Sequence, residues 1–104
     1  MTNIICENDR NEYKIDIEGH SGYNPGNDIV CSASSILGYT LMNALMDKNA
    51  DIKEITCDEA AGEIHIKIKG TEESRQDIRT IIETIMCGYE LLMDQYPDNV
   101  NLMW

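Results

Sequence analysis

The chain has 104 residues, 42% of them hydrophobic, and its 19 acidic residues outnumber 8 basic ones to give a net charge of −11. This length fits one small domain with one core, and a composition without a long apolar run excludes a disordered chain and disfavours a membrane span. The negative charge repels phosphate backbones, so nucleic acid is excluded as an expected partner, whereas a basic peptide would be attracted.

The cysteines and the N-terminus indicate a reducing compartment. Cys6, Cys31, Cys57 and Cys87 lie far apart, with no C-x-x-C pair, so the sequence contains neither a zinc-ribbon nor a thioredoxin-type motif. The first residues lack the basic segment and the extended apolar run of a signal peptide. We therefore expect a cytoplasmic protein with reduced thiols and no cofactor or resident metal.

The first half of the chain predicts a β-hairpin followed by a long helix. Strands are expected from Thr2 to Glu7 and from Glu12 to Glu18, because apolar and polar residues alternate and an Asn/Asp-rich turn separates them. Apolar residues then recur at helical spacing from Ile29 to about Asp47, and Asp28 is a favoured N-cap residue.

The second half repeats this order. Strands are predicted from Ile52 to Asp58 and from Glu63 to Lys69, followed by a helix that begins after an N-cap at Thr71 and runs to about Asp94. A last segment, 99–104, fits an edge strand. The predicted fold is α+β, in the order ββαββα with a possible C-terminal strand, and both helices cover one face of an antiparallel or mixed sheet.

A glycine-punctuated loop joins the second strand to the first helix, with His20 at its start and Cys31 just past its end. Asp28 at the N-cap makes Cys31 the third helical residue, where the macrodipole and free N–H groups favour a thiolate. His20 lies close enough along the chain to fold back as a proton acceptor and donor. The pattern predicts a cysteine nucleophile with a histidine partner.

Other interpretations of these residues stay open. Asp28 could orient His20, although capping follows from its position alone and is favoured. Ser35, one turn beyond Cys31, could bind substrate or only its own backbone. A zinc site that combines His20 and Cys31 with other cysteines is less favoured, because no ligand spacing supports it. The remaining roles are structural: core or partly buried thiols at Cys6, Cys57 and Cys87, and an outward-facing side chain at His65.

Several short motifs resemble the ribosomal-processing cysteine proteases of the Prp family: Gly19-His20, Gly22-Tyr23, Asp28-Ile29-Val30-Cys31 and Ser35. The resemblance implies a cytoplasmic bacterial protease that removes an N-terminal extension from ribosomal protein L27. It also implies a His20/Cys31 dyad, supporting roles for Gly19, Gly22, Asp28 and Ser35, a homodimer, and a mobile loop over the active site.

The leading hypothesis is therefore a cysteine endopeptidase that acts through a thioester on Cys31. The L27 precursor would be its peptide substrate, with no nucleic acid or membrane as partner. Tyr23, Tyr39 and Met42 are candidates for the substrate groove. The alternative from another class is a non-enzymatic acidic module that binds a ribosomal protein or an assembly factor.

Overall fold

The computed structural model describes residues 1–104 and contains seven elements in the order ββαββαβ. They are β1 (Thr2–Asp9), β2 (Glu12–Glu18), α1 (Ile29–Met46), β3 (Ala50–Asp58), β4 (Glu63–Gly70), α2 (Arg75–Gln95) and β5 (Val100–Met103). Every predicted helix and strand is present, and the predicted bounds differ from these mainly at the strand ends and at the start of α2.

The strands form one mixed sheet in the order β3-β4-β2-β1-β5. β5 is parallel to β1, and every other neighbouring pair is antiparallel. The β1–β2 hairpin turns at Arg10 and Asn11, whose φ values of 52° and 66° are those of a two-residue primed turn. The predicted α+β fold, with its additional C-terminal strand, is confirmed.

One face of the sheet is the core face. Alternate residues of the two central strands are buried there, and the intervening residues lie on the opposite face, as the period-two pattern predicts. Both helices cover the core face, so a single apolar cluster joins sheet and helices. The buried residues of β2 and β4 are Tyr13, Ile15, Ile17, Ile64, Ile66 and Ile68.

Helix α1 lies close against the sheet. A Cβ on Gly38 would come within 2.6 Å of Ile64 Cδ1, so the glycine permits the close approach. Tyr89 of α2 donates its hydroxyl to the Ser34 carbonyl at 2.8 Å and ties the two helices together. By length and composition alone, α1 is apolar enough to cross a bilayer. In this structure its most deeply buried residues pack in the core between the helices and the sheet.

The predicted N-cap at Thr71 is wrong. Helix α2 begins at Arg75, with Ser74 at the N-cap position. Residues 71–74 form a separate turn, in which the Thr71 hydroxyl accepts from the Ser74 N–H at 3.2 Å and the Thr71 carbonyl accepts from the Arg75 N–H at 2.8 Å. The capping side chain therefore closes a turn rather than starting the helix.

The prediction that the three cysteines other than Cys31 are buried or partly buried is correct only in part. Cys6 is buried, and burial, with a smaller effect from Glu7, raises the pKa of its thiol to about 11. Cys57 and Cys87 are exposed, which corrects the prediction. Cys57 lies on β3, an edge strand that α1 and α2 hardly cover, and Cys87 lies on the outer face of α2. All four thiols are free.

Candidate active site

A small cleft, with a volume of about 70 Å³, lies where the β2–α1 loop, the start of α1 and the β3–β4 turn meet. His20 and Cys31 both line it, although they come from different elements. The remaining polar lining comes largely from α1 and from the β3–β4 hairpin: Ser34, Ser35, Tyr39, Cys57, Asp58, Glu59 and Glu63.

Asp28 caps α1, as predicted. Its Oδ1 accepts from the backbone N–H groups of Val30 at 3.0 Å and of Cys31 at 2.9 Å. These two N–H groups are therefore not free, which corrects the expectation that free N–H groups at the start of α1 favour the thiolate. Asp28 forms no hydrogen bond with His20, so it acts as a cap and does not orient the imidazole.

The second oxygen of the Asp28 carboxylate organises the loop. Oδ2 accepts from Ser21 Oγ at 2.7 Å, from Tyr23 N at 3.0 Å and from Asn24 N at 3.3 Å. Partial burial acts to raise the pKa of this carboxyl, but the hydrogen bonds outweigh it and lower the pKa to about 2. Asp28 is therefore ionised at neutral pH and can only accept.

Ser21 contacts the sulfur of Cys31 directly, a role that the sequence analysis missed. Its backbone N–H donates to Cys31 Sγ at 3.1 Å, and its Oγ lies 3.2 Å from the same atom. Because the single hydroxyl hydrogen goes to the ionised Asp28, Oγ accepts from the thiol. The only available signal was that Ser21 follows His20, which does not reveal a contact across the loop.

The His20 ring is held by the β3–β4 turn. Its Nε2 lies 3.2 Å from the Ala60 carbonyl oxygen. A carbonyl can only accept, so Nε2 carries the hydrogen in the neutral ring and Nδ1 carries the free lone pair. No hydrogen bond joins His20 to Cys31; the two side chains share the cleft.

Two glycines lie where these segments meet. Gly19 N–H donates to the Gly62 carbonyl at 3.1 Å, which joins the strand end to the β3–β4 turn. Gly62 has φ +67°, and a Cβ there would lie 3.1 Å from His20 Cε1 and 3.2 Å from His20 Nδ1. Gly62 was not among the candidate site residues predicted from the sequence.

The other candidate site residues lie in, beside or away from the cleft. Ser35 and Tyr39 line the cleft, and the Tyr39 hydroxyl donates to Glu59 Oε1 at 3.2 Å. Gly22, with φ +71°, lies in open space beside the cleft. Tyr23 and Met42 do not line it: the Tyr23 ring packs edge-on against Tyr96, with centroids 5.2 Å apart, and Met42 packs on the core.

His20 and Cys31 belong to no group of side chains spaced to share a metal ion. The one such group, Asp16, Glu18 and His65, lies on the opposite face of the sheet. There His65 faces outward, as predicted, with Nδ1 2.7 Å from Asp16 Oδ1. The hydrogen bond to Asp16 is the main cause that raises the pKa of His65. The zinc alternative for His20 and Cys31 therefore has no support from the geometry.

Comparisons with known proteins agree with this geometry. The family model for cysteine protease Prp matches residues 1–101. The ribosomal processing cysteine protease Prp of Staphylococcus aureus is 23% identical over 87 residues, which cover 83% of this chain and 80% of that protein. The match to this relative thus spans most of both chains.

Two crystal structures of the S. aureus protease have the same fold. The structure with a covalently linked product peptide has a TM-score of 0.81 at 22% identity and covers 98% of this chain and 97% of that one. The structure with a substrate peptide has a TM-score of 0.78 at 20% identity, with coverage of 99% and 98%. With a family match that spans nearly all of its residues, this chain belongs to the cysteine protease Prp family and is an enzyme that acts on peptides.

Proposed function

We propose that Cys31 is the nucleophile of this protease and that His20 is its general base and acid. The observation that carries the proposal is the position of Cys31 Sγ: it lies in the cleft that His20 also lines, and it receives the Ser21 N–H at 3.1 Å. A backbone donor aimed at sulfur stabilises the thiolate, which is the attacking form.

The reaction follows from these groups. His20 Nδ1 takes the thiol proton, and the Cys31 thiolate attacks the scissile carbonyl carbon. The C–N bond then breaks, the leaving amine takes the proton from His20, and a thioester remains on Cys31. Water next gives a proton to His20 and attacks the thioester carbon. The C–S bond breaks, the sulfur takes the proton back from His20, and the product acid leaves as a carboxylate after losing its proton to solvent. The Nε2 hydrogen bond to Ala60 keeps Nδ1 as the base throughout.

We infer that the substrate is an N-terminally extended ribosomal protein L27. The printed name of the S. aureus relative, a ribosomal processing protease, supports a ribosomal substrate. Ribosomal proteins that bind RNA are basic, and this chain has a net charge of −11. Carboxylates of Asp58, Glu59 and Glu63 line one side of the cleft. A cytoplasmic homodimer, as the family resemblance implies, completes the proposal.

The supporting residues have separate tasks in this scheme. Asp28 caps the helix that carries Cys31 and fixes the loop that carries His20. Gly19, at φ +90°, donates its N–H to the β3–β4 turn and leaves room for the Met1 carbonyl, which a Cβ would approach to 2.5 Å. Gly22 allows the loop to reverse direction at φ +71°. Ser35 lies one turn beyond Cys31 in the cleft, where its free hydroxyl can face a bound peptide. Membership of a protease family argues against the non-enzymatic binding module.

The test is cleavage of extended L27 from the same genome by the wild type and by Cys31→Ala and His20→Ala variants. Both variants are expected to lose at least about 1,000-fold in kcat, because each removes a group that takes part in bond breaking. Mass spectrometry of the product N-terminus reports the cut. Cys87→Ala, at an exposed thiol on the outer face of α2, is the matched control and should cleave normally.

Two outcomes would contradict the proposal. Cleavage that survives in Cys31→Ala would overturn the assignment of the nucleophile. Wild-type cleavage of other peptides, but not of extended L27, would overturn the assignment of the substrate alone. Sedimentation of the wild type reports whether the homodimer forms.

A further inference from the structure

The Asn99 side chain reaches from the turn between α2 and β5 to the loop that carries His20. Its Nδ2 donates to the Ser21 carbonyl oxygen at 3.0 Å, across 78 residues of sequence. The backbone of Asn99 is itself fixed on both sides: its N–H donates to the Tyr96 carbonyl at 3.0 Å, and its carbonyl accepts from the Thr2 N–H at 2.9 Å. The amide is therefore held in place before it meets Ser21.

Ser21 follows His20 directly in the chain and contacts Cys31, so it adjoins both members of the proposed dyad. It is only 2% exposed, and its N–H donates to Cys31 Sγ. Its carbonyl belongs to the peptide unit that precedes Gly22, a residue at φ +71°. A peptide unit next to such a glycine rotates at low cost, because glycine accepts both signs of φ. The hydrogen bond from Asn99 opposes this rotation.

We infer that Asn99 is a positioning residue of the reaction, acting through Ser21. By fixing the Ser21 carbonyl, Asn99 restrains the peptide plane that follows Ser21, and through the Ser21 Cα it limits how far the preceding plane, which carries the N–H, can turn away from the Cys31 sulfur. Asn99 does not line the cleft, so its effect falls on the reacting atoms rather than on substrate binding. This inference rests on the proposed role of Cys31 as the nucleophile.

The test compares Asn99→Ala and Asn99→Asp with the wild type. Loss of one neutral hydrogen bond predicts a decrease of about 3- to 10-fold in kcat for Asn99→Ala, with KM within about twofold of the wild type. Asn99→Asp should lose at least as much, because a carboxylate has the shape of the amide but cannot donate to the Ser21 carbonyl. Asn101→Ala, in the same C-terminal segment and without a side-chain hydrogen bond, should match the wild type.

Alkylation by iodoacetamide, read at each cysteine by mass spectrometry, separates positioning from a merely structural role. The alkylation rate of Cys31 should fall by about 3- to 10-fold in both Asn99 variants, since its thiolate loses the aimed N–H. Exposed Cys87 should keep its rate, and buried Cys6 should stay unmodified as long as the chain is folded. If Asn99→Ala unfolds, labelling of Cys6 reveals it and Asn99→Asp carries the test.

Wild-type alkylation of Cys31 in a folded Asn99 variant would overturn the inference. So would a rise in KM with kcat unchanged. Alkylation needs no peptide substrate, so an error in the L27 assignment leaves this result intact. Cleavage that survives in Cys31→Ala would instead refute the proposed function and not the contact between Asn99 and Ser21.

Discussion

One carboxylate organises the candidate active site at the scale of single residues. Asp28 satisfies two N–H groups of α1 with one oxygen and three donors of the loop with the other. The same side chain therefore starts the helix that carries Cys31 and holds Ser21, whose N–H meets the sulfur. Removing its charge should affect both stability and geometry.

We expect Asp28→Asn to lower the free energy of unfolding by about 1–2 kcal/mol at pH 7, because an amide nitrogen cannot accept from the loop donors. The folded pKa of Asp28, about 2, lies below its ordinary value of 3.8. The ionised carboxylate therefore stabilises the wild type fully above about pH 4, and this contribution is lost as the pH falls through 2.

Urea unfolding of the wild type and Asp28→Asn between pH 7 and pH 2 measures this difference. The gap between the two proteins should close as the solution is acidified. Asp77→Asn, at an exposed carboxylate in the first turn of α2 that lies 3.8 Å from Lys48 Nζ, is the control for a surface charge at a helix start that makes no capping hydrogen bonds. A gap that is constant over the whole range would contradict the prediction.

At the scale of elements, the β3–β4 turn acts as one wall of the site. The Ala60 carbonyl accepts from the His20 ring, and the Gly62 carbonyl accepts from the Gly19 N–H at the end of β2. A side chain at Gly62 is disfavoured for two reasons: its φ is positive, and a Cβ would lie 3.1–3.2 Å from two atoms of the imidazole, closer than an ordinary van der Waals contact. A turn residue far from His20 in sequence thus controls the position of the ring.

Gly62→Ala is expected to reduce kcat by at least about 10-fold and to destabilise the chain by about 1–2 kcal/mol, since the added methyl group displaces His20 and strains the turn. Steady-state cleavage and thermal unfolding measure the two effects. Gly26→Ala has the same backbone strain, at φ +90°, but its Cβ would meet nothing within 4 Å. If Gly26→Ala lost as much activity, strain rather than contact with the ring would be the cause.

The net charge of the whole molecule affects its encounter with a charged substrate. A net charge of −11 over 104 residues creates a field that draws a basic protein towards the surface from beyond contact distance. Three carboxylates also line the cleft, so the negative potential extends to the candidate active site. Salt screens such a field and leaves short-range contacts within the cleft nearly unchanged.

We expect kcat/KM for extended L27 to fall by about 3- to 10-fold between 50 mM and 500 mM NaCl, with the change mainly in KM. Cleavage rates over this salt series provide the measurement. A short uncharged peptide that spans the scissile bond should show little dependence on salt. Equal salt dependence for both substrates would indicate an effect on the enzyme itself and not on charge attraction.

Local patterns in the sequence determined much of this protein. Period-two alternation was sufficient to place the central strands, and the N-cap preference was sufficient to place Asp28 and the start of α1, because both depend on near neighbours. The same local logic failed at Thr71, whose hydroxyl closes a turn, and at Cys57, since exposure depends on where a strand lies within the sheet.

Only the tertiary structure decided how the site is assembled. The Ala60 carbonyl on His20 and the Asn99 amide on Ser21 join residues that are 40 and 78 positions apart. Such contacts depend on the strand order and on the β1–β5 pairing, which no local pattern encodes. The sequence by itself determined which residues carry the proposed chemistry, and the packing of distant segments decided what holds them in place.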